Sequence, residues 1–337
     1  MTSPRPARDQ HDARFAQMLR HAYGLRAAAV IRLKTVTGIV DEDGRRWVWK
    51  PLRDGCAEER LAAVAEAAEL LTAAGLPFAG PVPGRGGRYL TTPGDGPPGC
   101  LQPWLPGRHA DYTVRQERLA AVATLAAMHR IAHGTQLSAR AALYRGNLYE
   151  KLWLKRRLLD ALWPRAASSV PALRELREPA LRAADLALHS VHPGGAGEDA
   201  PWARLTFCHR DVAPHNLLWQ GAGPLAVIDF DLCGMDDPLI DVMQLSNHAL
   251  FLGVPAAGHF TELTEVYLRG FPLSRAGERA LWRVLAFPDL LARAVTEWVR
   301  ADEGRDVEPA LRRLVHAARR QAEHLEAWAK ATRGLPV

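Results

Sequence analysis

A chain of 337 residues is long enough for more than one core, and 48% hydrophobic against 24% charged residues is the balance of an ordinary globular protein. No apolar run approaches the roughly 20 residues that cross a bilayer. The opening MTSPRPARDQHDARF has no apolar stretch behind its charges, so neither a membrane protein nor a secretory leader is expected. A cytosolic location follows as the expectation. The net charge of +6 rests on 43 basic residues, of which 38 are Arg and five are Lys. They are scattered through the chain, no nucleic-acid motif accompanies them, and the Arg excess reads as codon bias, so no nucleic-acid partner is expected. Cys56, Cys100, Cys208 and Cys233 form no CxxC pair, which excludes a zinc ribbon and leaves buried thiols as the expectation.

The first ten or so residues are expected to be disordered. Residues 27–52 then read as strands: AAAVIRLK, TVTGIV and RRWVWKPL are short β-prone runs, the last two separated by the turn signal Asp41-Glu42-Asp43-Gly44. A helix is predicted from about Ala57 to Ala74, with Leu61, Val64, Ala68 and Leu71 on one face and Gly75 as its stop. GRYLTT and CLQPWL flank the turn-rich PGDGPPG and suggest a hairpin. From Val114 onward the pattern is helical, with Leu119, Val122, Ala126 and His129 on one face and Gly134 ending the run. Further helices are predicted at about 147–163 and 172–190, a flexible loop at Pro193 to Asp199, and helices again over 258–333. The chain thus divides into a β-rich part, a connector near 102–108 and a helical part that holds one short hairpin.

That hairpin carries the chemistry. In CHRDVAPHNLLWQGAGPLAVIDFDL, residues 208–232, His209, Asp211 and Asn216 form HxDxxxxN, and Asp229 follows the apolar run LAVI. With 13 His, 19 Asp and three Asn in the chain, chance alone would give this spacing about once in 150 such chains. Phosphoryl transfer needs a carboxylate to orient a hydroxyl and take its proton, and oxygen ligands to hold Mg²⁺ on the phosphates. A set of polar residues that merely caps a turn is the plain alternative.

CHRDVAPHNLLW, AVIDFD and DDPLIDVMQL together resemble the aminoglycoside phosphotransferase and choline kinase group of protein-kinase-like enzymes. The resemblance implies an α+β, two-lobed protein-kinase-like fold, with an N-lobe over 11–103 and a mainly helical C-lobe over 104–337. It implies ATP and Mg²⁺ as cofactors and a hydroxyl-bearing substrate. Asp211 would be the catalytic base, His209 a support of its loop, Asn216 and Asp229 the metal ligands, and Asp241 of PLID a brace from the following helix. Asp231 stays open between a supporting role and a cap. Arg210 makes the motif HRD, in a chain where Arg is common.

The same reading asks for an upstream lysine to grip phosphates. Lys50 ends WVWK, and strand alternation puts it on the face of Val48, opposite Trp47 and Trp49, with Val48 under the adenine. Glu66 is the expected carboxylate partner of Lys50. CLQPWLPGR resembles the hinge between lobes, where the Pro103 carbonyl and the Leu105 N–H would bond the adenine edge, with the register open by one residue. The loop LKTVTGIV lacks the GxGxxG of protein kinases, so Thr35, Thr37 and Gly38 are the candidate phosphate contacts. No APE-like segment follows Asp229, which argues against a protein kinase regulated by phosphorylation.

The flanking stretches WKPLRDGCAEERLAAVAEAAELLTAAGLPFAGPVPGRGGRYL, LAAMHRIA and NLYEKLWLKRRLLDAL resemble the spore-coat, CotS-like branch of the group. Two alternatives stand beside a plain small-molecule kinase, the first of them implied by that branch. One is a structural or assembly role in a spore coat, with coat proteins as partners and weak or absent catalysis. The other is a homoserine-kinase-like metabolic enzyme or a stress-response Ser/Thr kinase. A polycationic acceptor would want an acidic pocket, yet residues 258–337 carry 13 Lys and Arg against 11 Asp and Glu, so an antibiotic substrate is disfavoured. The basic stretch from Lys151 to Arg157 would suit an acidic partner or, more simply, a solvated helix face.

Overall fold

The computed structural model describes residues 6–52, 56–94, 96–135, 137, 140–194, 205–301 and 307–333. Most of the loop expected at Pro193 to Asp199 lies outside the described residues. The chain separates into two compact units: residues 1–107 with 135–144 and 226–231, and 108–134 with 145–225 and 232–337. The boundary expected at 103/104 thus falls at 107/108, and the segment bearing Asp229 groups with the first unit rather than with the helices.

In the first unit, helix α1 (Pro6–Tyr23) precedes strands β1 (Ala27–Arg32), β2 (Thr37–Asp41) and β3 (Arg46–Pro51), helix α2 (Glu58–Ala73) and strand β4 (Gly99–Pro103). The four strands form an antiparallel sheet in the order β1-β2-β3-β4. The turn between β2 and β3 is the one predicted. Gly44 takes the left-handed φ of 78° it requires, and Asp41 accepts from the Arg45 N–H (2.8 Å) and from Trp47 Nε1 (2.9 Å).

Alternation along β3 works as expected. Trp49 is buried with Phe15 and Leu19 of α1, Leu25, Ile39 and Leu101, and Trp47 packs against the same cluster. Phe15 meets Trp49 edge-on at 5.8 Å. This packing explains why α1 begins at Pro6, inside the segment expected to be disordered: its apolar residues have the sheet to cover. The hairpin expected from GRYLTT does not form as two strands. Among the described residues only Thr91 bridges to Gly99, because the Gly- and Pro-rich stretch between them supplies few residues that fit a ladder.

The second unit begins with the short strand β5 (Arg108–His109) and helix α3 (Arg115–Ala132). The two-residue strand β6 (Tyr144–Arg145) leads to helices α4 (Leu148–Ser169) and α5 (Leu173–Ser190). Asn147 caps α4, its side chain accepting from the Glu150 N–H, and Pro164 and Pro179 lie inside the two helices. Strand β7 (Thr206–Cys208) leads into the HxDxxxxN motif, and β8 (Leu217–Trp219) leaves it and pairs with β5. The predicted strand LAVI shortens to β9 (Ala226–Val227), which groups with the first unit and bonds Pro77 and Ala79 there. Strand β10 (Gly234–Asp236) pairs with β7. Helices α6 (Leu239–Phe251), α7 (His259–Gly270), α8 (Arg275–Leu285), α9 (Asp289–Ala301) and α10 (Val307–Ala331) complete the chain. Leu159, Trp163, Leu173, Leu291, Trp298 and Leu314 form the heart of a core shared by α4, α5, α9 and α10.

Candidate functional site

The HxDxxxxN loop is held from beneath by one carboxylate. Asp241, wholly buried on α6, accepts from the N–H of His209 through Oδ2 (2.8 Å) and from that of Arg210 through Oδ1 (2.7 Å). Burial pushes the Asp241 carboxyl up, but the hydrogen bond and charge of His129, with His209 and the Arg210 N–H, outweigh it and hold the carboxyl below its ordinary value. Charge-assisted bonds of this kind compensate a local strain, since Arg210 adopts a left-handed φ of 66° that a non-glycine residue rarely takes.

His129 is fixed in turn. Its Nε2 lies 3.1 Å from Asp241 Oδ2 and its Nδ1 2.9 Å from the Tyr267 hydroxyl. His129, Cys208 and Asp241 stand close enough to suggest a metal site. Both ring nitrogens of His129 are engaged, however, and burial holds the Cys208 thiol well above its ordinary value, so the group acts as a hydrogen-bonded brace.

Above that brace the loop presents its functional side chains. His209 is buried, and its Nδ1 accepts from the Asp211 N–H at 3.3 Å. Asn216 donates through Nδ2 to both the backbone carbonyl (2.8 Å) and Oδ2 (3.2 Å) of Asp211. The amide nitrogen is thereby committed to the loop, and Asn216 Oδ1 is its remaining ligand atom. The Val212 N–H reaches Gln244 of α6 (3.4 Å), and the buried Tyr112 hydroxyl donates to the Val212 carbonyl (3.0 Å). Arg210, which composition made unremarkable, has a dedicated partner: its Nε is 3.1 Å from Asp236, a carboxylate buried in β10. Burial raises the Asp236 pKa to about 6, with Arg210 working against that rise.

In the first unit, Lys50 reaches Asp229 Oδ1 at 2.5 Å and Asp231 Oδ1 at 2.8 Å, with its ammonium 5.0 Å from the centre of the Phe230 ring. Burial alone would lower the Lys50 pKa, but Asp229 and Asp231 outweigh it and raise it above the ordinary lysine value. Here the structure adds to the sequence reading. Asp231, left without a role, is one of the two carboxylates that hold Lys50; Glu66 is half-buried on α2. The turn carrying both aspartates is strained at Asp229, where φ is 66°. Arg60 of α2 holds that turn: its Nη2 donates to the carbonyls of Phe230 (3.1 Å) and Asp231 (2.9 Å), and its guanidinium lies 4.1 Å from the centre of the Tyr144 ring. Nothing in the sequence singles out Arg60 among 38 arginines. Cys100, opposite Lys50 on β4, is a buried thiol whose pKa burial pushes up to about 12.

The hinge candidates sit at the free edge of the sheet. Trp104 N–H bonds the Arg46 carbonyl, so the intervening pair Trp47 and Pro103 turns its backbone groups away from one another. Along that outer edge Thr91 bonds Gly99 and the Val82 N–H bonds the Leu101 carbonyl. The next groups in the alternation are the Pro103 carbonyl and the Leu105 N–H, and among the described residues neither takes a hydrogen bond. These are the two groups that the sequence reading named, so they are available for the contact it expects. Val48 is half-buried on β3 opposite Gln102. Of the three phosphate candidates only Thr35 lies on the exposed turn between β1 and β2. Thr37 is buried within β2 and accepts from Arg32. Gly38 is buried against the Trp104 ring, which an added Cβ would approach to 2.7 Å, so packing accounts for that glycine.

This fold recurs among solved kinases of small molecules. An aminoglycoside phosphotransferase from Alicyclobacillus acidocaldarius subsp. acidocaldarius DSM 446 superposes with a TM-score of 0.74 at 19% identity, over 93% of this chain and 95% of that one. A microcompartment-associated aminopropanol kinase gives 0.66 at 18% identity, over 96% and 98%. Amicoumacin kinase hAmiN, solved with AMP-PNP, Ca²⁺ and Ami, gives 0.60 at 18%, over 94% and 96%. These likenesses establish a protein-kinase-like fold. The family follows from sequence: residues 37–269 match the phosphotransferase enzyme family, APH, and the chain belongs to it. No curated protein matches the chain significantly. Among the described residues no helix is long and apolar enough to cross a membrane.

Proposed function

We propose that the chain transfers the γ-phosphate of ATP to a hydroxyl group of a small molecule, with Mg²⁺ as the metal. The observation that carries this reading is the hydrogen-bonded pair of Asp211 and Asn216 on a loop anchored by Asp241. Asp211 takes the acceptor's proton as the hydroxyl oxygen attacks the γ-phosphorus, and the bond to the bridging oxygen of ADP breaks. Asn216 and Asp229 offer the oxygen donors that suit a hard cation, and Asn216 presents its oxygen because its nitrogen is already bonded. Bound Mg²⁺ would neutralise charge on the phosphates. Lys50 binds phosphate oxygens, Val48 packs on the adenine, the Pro103 carbonyl and Leu105 N–H bond its edge, and Thr35 serves as a phosphate contact.

The CotS-like branch rests on the quoted sequence stretches. A coat scaffold without catalysis would not need Lys50, Asp211, Asn216 and Asp229 together, and their joint retention favours an enzyme. A thermal-shift titration with ATP, with and without Mg²⁺, tests the reading. Wild type should gain stability with ATP and more with Mg²⁺. Asp229→Ala should lose the Mg²⁺-dependent part, and Asp211→Asn should bind nucleotide yet fail to transfer phosphate. Full transfer by Asp211→Asn would overturn the assignment of the base.

A further inference from the structure

Asp241, Gln244 and His248 stand at i, i+3 and i+7 on α6, one face of a helix. The first two bond the HxDxxxxN loop, at His209, Arg210 and Val212. The third continues that face beyond the loop. His248 is largely buried, which lowers its pKa; Arg293 lowers it further, while Asp211 and Asp289 act in the opposite sense. The charges of the proposed base and of the first turn of α9 thus both act on His248. Asn247 ties the same two elements, its Oδ1 accepting from the Leu290 N–H at 3.4 Å.

The other wall is α4. Gly146, just before it, packs so tightly on Asp236 that an added Cβ would strike the carboxylate, and Asp236 in turn holds Arg210. Lys151 and Lys155 follow one turn apart. Lys155 pairs with the buried Asp289. Lys151 does not pair: it is half-buried, beside Lys155, Asp289, Asp236 and Arg210, and among the described residues its ammonium makes no hydrogen bond or ion pair. Arg293, one turn into α9 from Asp289, likewise has no ion-pair partner among the described residues.

With Arg210 matched by Asp236 and Lys155 by Asp289, two cations are left unmatched around the loop that bears Asp211. A half-buried ammonium whose neighbouring carboxylates, Asp289 and Asp236, are each already paired with another cation is costly unless a ligand supplies a further negative charge. We infer that the acceptor carries, besides its hydroxyl, an oxyanion group, carboxylate or phosphate, which Lys151 and Arg293 bind. This inference rests on the phosphotransferase reading of Asp211. It gives the basic start of α4 a purpose and sets this chain's acceptor apart from amino alcohols and polyamines.

The test is a thermal-shift titration of protein saturated with AMP-PNP and Mg²⁺. The probes are short ω-hydroxycarboxylates, the matching hydroxyalkyl phosphates, and the matching ω-amino alcohols. One of the two anionic series should raise the melting temperature of wild type, and the series that does so identifies the oxyanion. Lys151→Gln and the exposed-site variant Arg293→Gln should each weaken that response about tenfold or more. Both should keep the shift produced by AMP-PNP and Mg²⁺ alone, which shows them folded. Stabilisation by the amino alcohols instead, no response to either anion, or undiminished affinity in both variants would overturn the inference and leave the kinase reading intact. Absence of any AMP-PNP shift in wild type would overturn the kinase reading and this inference with it.

Discussion

Asp231 lies 2.8 Å from the ammonium of Lys50, beside the 2.5 Å contact that Asp229 makes with the same group. Two carboxylates two residues apart thus hold one lysine, and both outweigh the burial that would otherwise lower its pKa. Asp229 is the proposed metal ligand, so Asp231 is the residue whose charge can stay with Lys50 while Asp229 serves the metal. Lys50→Met should lower kcat/KM for ATP by about 100-fold or more, from loss of a fixed positive charge at the phosphates. Asp231→Asn should cause a smaller loss, seen mainly in the KM for ATP. Steady-state ADP release measures both, and an Asp231→Asn enzyme equal to wild type would remove Asp231 from the site.

Arg60 supports the same turn from α2 through the carbonyls of Phe230 and Asp231. It touches no reacting atom in the proposed chemistry; it positions Asp229, whose φ of 66° needs external support. Arg60→Met should raise the Mg²⁺ concentration for half-maximal activity by about 10–100-fold, the range typical of residues that orient a metal ligand. Arg60→Lys should recover part of the loss. A variant that lost stability but kept the Mg²⁺ dependence of wild type would make Arg60 a packing residue alone.

The contrast between Lys50 and Arg60 shows what the sequence could disclose. Lys50 was legible because lysine is rare here and strand alternation is a local rule, so its face and its neighbours Trp47 and Trp49 followed directly. Asp211, Asn216 and Asp241 were legible through their spacing, and the helices through their apolar periodicity. Arg60 was not, since its role depends on contacts 170 and 171 residues away and its type is the commonest charge in the chain. Glu66 was chosen from among several helix glutamates with no local signal to separate them. Helix α1 was missed because its stabilisation comes from Trp49 and Ile39, which lie beyond its own sequence. Thr37 and Gly38 were read as loop residues because the β1–β2 turn is tighter than the sequence suggests, closing with the Leu33 N–H on the Val36 carbonyl.

The brace at Asp241 makes a prediction about stability. Its carboxylate is fully buried and serves His209, Arg210 and His129 at once. Asp241→Ala would leave two loop N–H groups and a histidine without their acceptor, at a cost of about 3–5 kcal/mol. Urea unfolding should show this as a lower midpoint. Zn²⁺ should not stabilise the wild type, because the ring nitrogens of His129 are already bonded. Zn²⁺-dependent protection abolished by Cys208→Ala would instead make this cluster a metal site.

The helical unit should also carry a built-in sensitivity to acid. His324, buried on α10, has its pKa lowered to about 4, chiefly by burial, and its Nε2 bonds the Leu285 carbonyl at 2.7 Å. His259 is lowered further, to about 3, by burial and by Arg118. A histidine with a folded pKa below the unfolded value of 6.5 takes up its proton first in the unfolded chain. Its contribution is therefore complete above about pH 6.5 and is lost as the pH falls toward 4, amounting to about 3 kcal/mol for His324. Asp236 works in the opposite sense: its folded pKa, raised to about 6, favours the folded state as the pH falls through that value. The wild-type curve mixes the two, but the difference between wild type and His324→Gln isolates the histidine. Urea unfolding from pH 7.5 to 4.5 should show the stability gap between the two proteins moving in the variant's favour below pH 6.5. A constant gap across that range would mean that His324 titrates normally in the folded protein.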